Sequence, residues 1–231
     1  MKLRPLLTLT LAAIPLVASA GEREIHRDDF RDGLKQWVVE AEKPGTITAR
    51  DGVLDIDVPR GLSLWFRPEL HGPIKIRYEA TMVAAGGAND RVSDLNCFWM
   101  ATDPRSPGDF FATLRSGKFA DYDALKTYYV GLGGNYNKTT RFRRYIGKPG
   151  DRPMLPNNDL SSDDVLLKPN VTQTITLIAD GRHIAYYRDG KPLFKYDDAQ
   201  PYTHGHFALR TVWSHIRVRN FRVYALTPDA D

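Results

Sequence analysis

The feature that most constrains the fold of this chain is a succession of short segments in which apolar and polar residues alternate, each bounded by a turn sequence. Val53–Val58 alternates directly after Asp51-Gly52, and Ile74–Met82 alternates after Gly72-Pro73. Further segments of this kind lie at 175–178, 184–187, 193–196, 206–213 and 216–226. Alternation with a period of two is typical of half-buried strands. The pattern predicts an all-β protein in which the best helical candidate is a turn or two near 109–114.

The first twenty residues have the pattern of a secretory signal peptide. Lys2 and Arg4 precede an apolar run, and the segment closes with Ala18-Ser19-Ala20. The run is shorter than the roughly 20 residues that a membrane-spanning helix needs, and the small residues suit cleavage after Ala20. We therefore expect an exported protein, periplasmic or secreted. Residues 21–231 are expected to form a single β-sandwich domain without membrane contact after the signal peptide (1–20) is removed.

The charge of the chain argues against nucleic acid as a partner. The formal net charge is +4, and removal of the signal peptide lowers it by two because Lys2 and Arg4 are lost. A nearly balanced chain lacks the basic excess of a nucleic-acid-binding domain. Cys97 is the only cysteine, so it can form no intramolecular disulfide, and we interpret it as a small buried apolar residue.

Several longer motifs resemble those of concanavalin-like sandwiches, which recur in lectins, glucanases and polysaccharide lyases. These motifs lie at 30–37, 181–191 and 205–211. More narrowly, the segments 94–101, 128–135 with 139–145, and 210–215 resemble an uncharacterised bacterial family whose members accompany genes for the degradation of pectin-type glycans. The resemblance implies an antiparallel two-sheet jelly-roll sandwich and a carbohydrate ligand. It leaves the reaction open, because one fold serves many functions.

Polar and aromatic side chains share strand faces in four segments of the sequence. Residues two apart in a strand point to the same side of the sheet. The sets that share a face are Asn96 with Phe98 and Met100, Arg141 with Arg143 and Tyr145, His206 with Ala208 and Arg210, and His215 with Arg217 and Arg219. If these faces line one sheet, guanidinium groups are available for carboxylates and aromatic rings for sugar faces. This composition favours an acidic, uronate-containing glycan as the ligand.

One hypothesis for such a groove is a polysaccharide lyase that cleaves by β-elimination. The reaction needs a base for the proton beside the uronate carboxylate and groups that stabilise the developing charge. The candidate catalytic residues are His215, Tyr129 and Tyr145. The candidate substrate-binding residues are Arg91, Asn96, Trp99, Asn135, Arg141, Arg143 and Arg210. Whether the chain is an enzyme stays open, because two other functions use the same face.

The alternatives are a lectin-like module and a two-carboxylate glycosidase. A sugar-binding module would stack pyranose rings on exposed aromatic residues, for which the candidates are Trp99, Tyr129, Tyr136 and Trp213, whereas Trp37 and Trp65 are expected in the core. A glycosidase needs paired carboxylates. The Glu-x-Asp-x-x-Glu motif of sandwich-fold glucanases does not occur in the sequence, which leaves Asp94 and Asp109 among the candidates.

Neither a cofactor nor a metal is predicted. The glycine-rich stretch at 131–137 lacks the Gly-Lys-Ser/Thr ending of a P-loop, so we interpret it as a sandwich loop beside a ligand groove. His204 and His206 share a strand face, but the sequence identifies no further ligands that a zinc site would require.

Overall fold

The computed structural model describes residues 21–227, so the predicted signal peptide lies outside the described residues. The strands, in chain order, are β1 (Glu22–Asp28), β2 (Trp37–Ala41), β3 (Thr46–Arg50), β4 (Val53–Val58), β5 (Leu62–Phe66), β6 (Leu70–His71), β7 (Ile74–Met82), β8 (Leu95–Thr102), β9 (Lys126–Gly133), β10 (Thr139–Ile146), β11 (Asp159–Leu160), β12 (Thr172–Asp180), β13 (His183–Arg188), β14 (Lys191–Asp197), β15 (His204–Thr211) and β16 (Ser214–Leu226). The helical elements of the described residues are single turns at Phe119–Tyr122, Gly134–Asn137 and Asp163–Val165.

Two antiparallel eight-stranded sheets pack against each other. The first sheet has the order β14-β13-β12-β7-β16-β4-β3, and β1 also pairs with β16. The second sheet has the order β11-β10-β9-β8-β15-β5-β2, and β6 also pairs with β15. The prediction of an all-β, antiparallel jelly-roll sandwich is confirmed. The opening strand lies against the closing one, with Glu22 opposite Leu226 and Asp28 opposite Phe221.

The main apolar core lies between the two sheets. Strand β7 shows how the sequence builds it, because every second residue from Ile74 to Met82 is buried and the residues between are half-buried. Cys97 is buried in this core. Trp37 is buried there as predicted, its indole ring centroid lying 5.1 Å from that of Phe221. Its Nε1 donates a 2.8 Å hydrogen bond to Asp28, which satisfies the one polar atom of the indole.

A second apolar cluster lies on the outer face of the second sheet. It is covered by residues 103–125, here called the covering loop, which connects β8 to β9. The cluster consists of Trp65, Phe98, Ala101, Phe110, Tyr122, Leu125, Tyr129, Tyr145 and Ala208. Trp65 is therefore buried, as predicted. The helical turn predicted at 109–114 is wrong, because this segment consists of turns and bends within the covering loop.

The regular alternation of β8 is interrupted near its end. Met100 has a left-handed backbone with φ 54°, and the pairing register with β9 shifts between Trp99 and Thr102. An irregularity of this kind re-aims the side chains that follow it. Met100 consequently packs in the main core, and the prediction that it shares a face with Asn96 is wrong.

Residues 21–227 include no helix that is long and apolar enough to cross a membrane.

Candidate functional site

An open cavity of about 320 Å³ lies on the outer face of the second sheet, over β8, β9 and β10. Five of the predicted site residues line it: Asn96, Tyr129, Asn135, Arg141 and Arg143. The volume is at the lower end of the roughly 300–1,000 Å³ that small-molecule sites occupy. Half of the predicted site residues therefore lie together, and the strand-face argument had grouped three of them, Asn96, Arg141 and Arg143.

The floor of the cavity is formed by directly paired residues on three strands. Gly131 of β9 lies opposite Asn96 of β8 on one side and opposite Arg141 of β10 on the other. A Cβ atom on Gly131 would lie 3.0 Å from the hydroxyl oxygen of Tyr129, so glycine leaves the space in which this phenol lies across the strand. The floor thus combines an amide, a phenol and an open backbone position.

Three guanidinium groups form the cationic wall of the cavity: Arg141, Arg143 and Arg152. Arg141 forms a bidentate pair with Asp159 at 2.8 and 2.9 Å, and Arg152 lies 3.5 Å from Asp123. Arg143 donates a 2.6 Å hydrogen bond to the carbonyl oxygen of Arg152, and it forms no ion pair with any carboxylate within residues 21–227. The wall therefore includes one guanidinium group that forms no ion pair within the described residues.

Asp94 is the one carboxylate among the described residues that line the cavity. It accepts hydrogen bonds from Arg91 Nη2 at 2.7 Å and from Ser93 Oγ at 2.6 Å, and a longer one from Asn96 Nδ2 at 3.4 Å. Its backbone has φ 65°, which turns the chain as it enters β8. These donors hold Asp94 in a fixed orientation as a hydrogen-bond acceptor at the end of the floor.

The rim beside Asp94 is an arginine held between two aromatic rings. The guanidinium of Arg91 lies 4.9 Å from the ring centroid of Tyr136 and 5.0 Å from that of Trp213. Tyr136 is 72% exposed and stands on a loop in which Asn135, Tyr136 and Asn137 all have left-handed backbones. Strained backbone of this kind concentrates at binding and catalytic sites. The predicted residue Arg91 thus lies at the mouth of the cavity rather than inside it.

The electrostatics of the cavity do not suit a tyrosine base. Burial raises the pKa of Tyr129 well above its ordinary value of 10.0, and the nearby hydroxyl of Tyr145 and the carboxylate of Asp94 add to the increase. A phenol with a raised pKa stays protonated at neutral pH, where it can donate a hydrogen bond but cannot remove a proton. Tyr129 is therefore a hydrogen-bond donor in the lining of the cavity.

Two predicted catalytic residues do not line the cavity. His215 is on β16 of the first sheet, where its ring nitrogens lie 2.8 Å from Asp90 and 3.0 Å from Asp55 on the outer face of that sheet. Tyr145 belongs to the cluster under the covering loop, and burial raises its pKa to about 12. The structure therefore does not bring His215 or Tyr145 into the cavity with the predicted substrate-binding residues, and their catalytic role stays a prediction.

Trp99 and Arg210 are two predicted substrate-binding residues that are buried and do not line the cavity. Trp99 is fully buried in the main core against Tyr128 and Phe142, because it follows Asn96 by an odd number of residues and faces the opposite way. Its assignment as a sugar-stacking residue is wrong. Arg210 does face the outer side, but the covering loop encloses it, and its Nη1 donates a 2.6 Å hydrogen bond to the carbonyl oxygen of Gly117. It cannot contact a ligand directly.

Sequence reasoning missed two residues of the cavity, Arg152 and Phe119. Both lie in long connections, Phe119 in the covering loop and Arg152 in the segment between β10 and β11. They meet at the cavity, with the Arg152 guanidinium 5.1 Å from the ring centroid of Phe119. Loop residues carry no alternation that assigns them to a face. The length of the two loops was the available signal, since long ordered loops are commonly functional.

The cavity offers no ligand set for a metal ion. Its lining includes one carboxylate and no histidine or cysteine, and residues 21–227 contain no group of three or more His, Cys, Asp or Glu side chains placed to hold a metal.

Residues 56–221 match the family described as Domain of unknown function (DUF6250). The chain belongs to this family. The matched range includes β8, β9 and β10 and therefore the floor and cationic wall of the cavity. No curated protein matches the chain.

Solved structures similar to this DUF6250 protein share its jelly-roll fold. A protein of unknown function with a galectin-like fold from Bacillus subtilis superposes with a TM-score of 0.67 at 17% identity, covering 90% of this chain and 100% of that one. Carbohydrate binding module CBM66 from the same organism gives 0.56 at 9% identity, with 82% and 96% covered. Endo-beta-1,3-glucanase from Pyrococcus furiosus gives 0.57 at 11% identity, with 89% and 95% covered. At such identities the similarity establishes the fold alone.

Proposed function

We propose that this protein binds an acidic saccharide, one that carries a uronate carboxylate, in the cavity over β8–β10, and that it acts by recognition rather than by cleavage. The observation that carries the proposal is Arg143, which faces the cavity without a carboxylate partner in the described structure. A guanidinium recognises a planar carboxylate through two parallel hydrogen bonds. We propose as well that recognition takes place outside the cytoplasm, since the first twenty residues carry the signal-peptide pattern.

Two further features of the site support a sugar as the carrier of that carboxylate. Asn96, Asn135 and Tyr129 supply amide and phenol groups of the kind that bind hydroxyl groups. Tyr136 and Trp213 stand at the mouth with exposed ring area, which suits contact with the apolar face of a pyranose. The carbohydrate binding module and the endo-beta-1,3-glucanase that share this fold bind or act on saccharides, as their names state.

Cleavage is less well supported than binding. A glycosidase of the usual kind needs two carboxyl groups across the scissile bond, and Asp94 is the one carboxylate lining the described cavity. A lyase needs a base, and the phenol in the cavity, Tyr129, has a raised pKa. Binding needs neither.

The test is calorimetric titration of the mature protein with galacturonate, glucuronate and their oligomers, each beside its neutral hexose. The same mixtures are assayed for new reducing ends and for the ultraviolet absorbance of an unsaturated uronate. We expect binding of an acidic saccharide and no product in either assay. Equal binding of the neutral sugar would contradict the role of the carboxylate, and product in either assay would show an enzyme.

Arg143→Ala is the variant that addresses the key residue. Loss of a charged hydrogen-bonding group is worth about 1.5–3 kcal/mol, so the affinity should fall roughly tenfold to a hundredfold. Arg143→Lys should recover part of this loss, because it restores the charge without the bidentate geometry. Arg219→Ala, which removes an exposed arginine from the first sheet, is the matched control and should leave the affinity unchanged.

A further inference from the structure

We infer that the cavity receives the end of a saccharide chain, or a short saccharide, rather than an internal stretch of a long polymer. The inference rests on the proposed function and adds the class of ligand. It comes from the way in which the covering loop (103–125) divides the outer face of the second sheet.

A continuous row of paired residues crosses this face. Taken from β10 to β2, the row consists of Arg141, Gly131, Asn96, Arg210, Ser63 and Glu40, each directly opposite the next. Six strands at about 4.8 Å spacing would give a groove long enough for several sugar units. The uncovered sheet would therefore suit a polymer lying across the strands.

The row is open over its first half and closed over its second. Arg141, Gly131 and Asn96 line the cavity. Glu40, by contrast, accepts hydrogen bonds from Arg115 at 3.0 Å and from the hydroxyl of Tyr122 at 2.9 Å, both of which belong to the covering loop. The boundary lies at Arg210, which is buried and donates to the carbonyl oxygen of Gly117.

The loop is seated on the sheet without space beneath it. Gly117 has φ +85°, and a Cβ atom there would lie 2.4 Å from the backbone nitrogen of Glu42. A Cβ atom on Gly61 would likewise lie 2.5 Å from the carbonyl oxygen of Gly117. Backbone meets backbone at this point, so a sugar cannot pass between the loop and β5 or β2.

Phe119 forms the end wall where the open half meets the covered half. Its ring lies 5.5 Å from that of Tyr129 on the cavity side and 5.3 Å from the Arg210 guanidinium behind it. A chain that enters the cavity meets this ring instead of continuing over Arg210. The cavity is therefore blind on the β15 side.

The experiment measures affinity against ligand length. Galacturonate and glucuronate oligomers of increasing length, the parent polymers and the matching neutral series are titrated into the mature protein. We expect the affinity to stop rising after the first one or two units, with later units changing it by less than about threefold. Partial depolymerisation should also increase the protein bound per mass of polymer, because it creates chain ends.

Affinity that rises with every added unit, or several proteins bound along one chain, would overturn the inference and leave the proposed acidic ligand standing. A neutral series that binds with the same early plateau as the acidic one would support the blind cavity and overturn the acidic ligand. Binding of neither series would overturn both.

Phe119→Ala tests the end wall itself. With the ring removed, units beyond the plateau should gain contacts, and the affinity for longer oligomers should rise above that for the shortest. Leu114→Ala is the matched control, since Leu114 is in the same loop and is 95% exposed. A plateau that Phe119→Ala leaves unchanged, in a variant whose thermal unfolding is normal, would contradict the assignment of Phe119 as the wall.

Discussion

The open half and the covered half of one sheet face contain the same kinds of residue and use them differently. In the covered half, the side chain of Arg115 is fully buried, forms ion pairs with Glu40 and Asp103, and donates a hydrogen bond to the carbonyl oxygen of Phe110. In the open half, Arg143 is half-buried and has no carboxylate partner within the described residues. A charge that is fully paired holds a structure together, whereas a charge left without a partner is available to a ligand.

The comparison also shows why the covering loop is ordered although it has almost no regular structure. The aromatic residues Phe110 and Tyr122 of the loop pack on Trp65. The loop residue Arg115 forms an ion pair with Glu40 of β2. Trp65 Nε1 donates a 2.8 Å hydrogen bond to the same carboxylate. Apolar packing and one buried charge network therefore replace the hydrogen bonds of a strand or helix.

Removal of the buried arginine should have the largest effect on stability. Arg115→Ala leaves Glu40 buried without a cationic partner, whereas Asp103 keeps its pair with Arg105. Removal of one partner of a buried ion pair costs about 3–5 kcal/mol of stability. Chemical denaturation should show this loss. Arg182→Ala is the control, because its pair with Asp197 is exposed and worth about 0–1 kcal/mol. Equal losses in the two variants would mean that the covered half is not anchored through Arg115.

The next largest effect is expected from a methyl group added to the floor of the cavity. It should weaken ligand binding in the open half. In Gly131→Ala the new Cβ atom lies 3.0 Å from the Tyr129 hydroxyl oxygen, so the phenol must move from its place on the floor. Overpacking of this kind costs about 1–3 kcal/mol of folding stability. Because the strain falls on a residue of the lining, we expect the affinity for uronate to fall about tenfold.

Gly134→Ala is the control for this substitution, because it adds a methyl group to the same lining at an ordinary distance of 3.6 Å from Thr139. Unchanged affinity in Gly131→Ala would show that the ligand does not use the position of Tyr129.

Acidification should lower the folding stability of the protein through His206 of the covered half. The effect should be smaller than that of either substitution above. His206 packs between Phe110 and Phe111 of the covering loop, and its Nδ1 lies 3.2 Å from the carbonyl oxygen of Phe66. Burial lowers its pKa below the ordinary value of 6.5, although the carboxylate of Glu69 opposes the shift and Arg115 adds to it. The unfolded chain therefore binds the proton more readily than the folded one. Stability from this group is complete above pH 6.5 and decreases as the pH falls below it.

Denaturation curves at a series of pH values should show this decrease in the natural protein and less of it in His206→Gln, which does not titrate. An identical pH dependence in the two proteins would assign the effect to other groups, among them His26, whose pKa burial also lowers.

The sequence predicted the fold better than the site, and single residues show why. Alternation correctly placed Asn96, Arg141 and Arg143 on one outer face, because a strand's period is a local property. It could not tell which of two sheets a strand joins, so His215 of the first sheet was grouped with residues of the second. Nor could it show that residues 103–125 fold back over Arg210, because that contact depends on packing between residues distant in sequence.

Substitutions of Tyr136 at the rim should have the smallest effect on stability. They also allow the effect on stability to be measured separately from the effect on saccharide binding. Tyr136 has φ 58°, a left-handed conformation that an L side chain adopts at a cost and glycine adopts freely. Tyr136→Ala and Tyr136→Gly both remove the ring above Arg91, so they should weaken saccharide binding equally. Their stabilities should differ, with the glycine variant more stable by about 0.5–1 kcal/mol in chemical denaturation.

Asn157→Gly, at another left-handed position with φ 63°, is the control that should leave binding intact. Equal stability of the two Tyr136 variants would place this residue in ordinary backbone conformation. Undiminished binding in both would remove the rim from the site and leave recognition to the cationic wall alone.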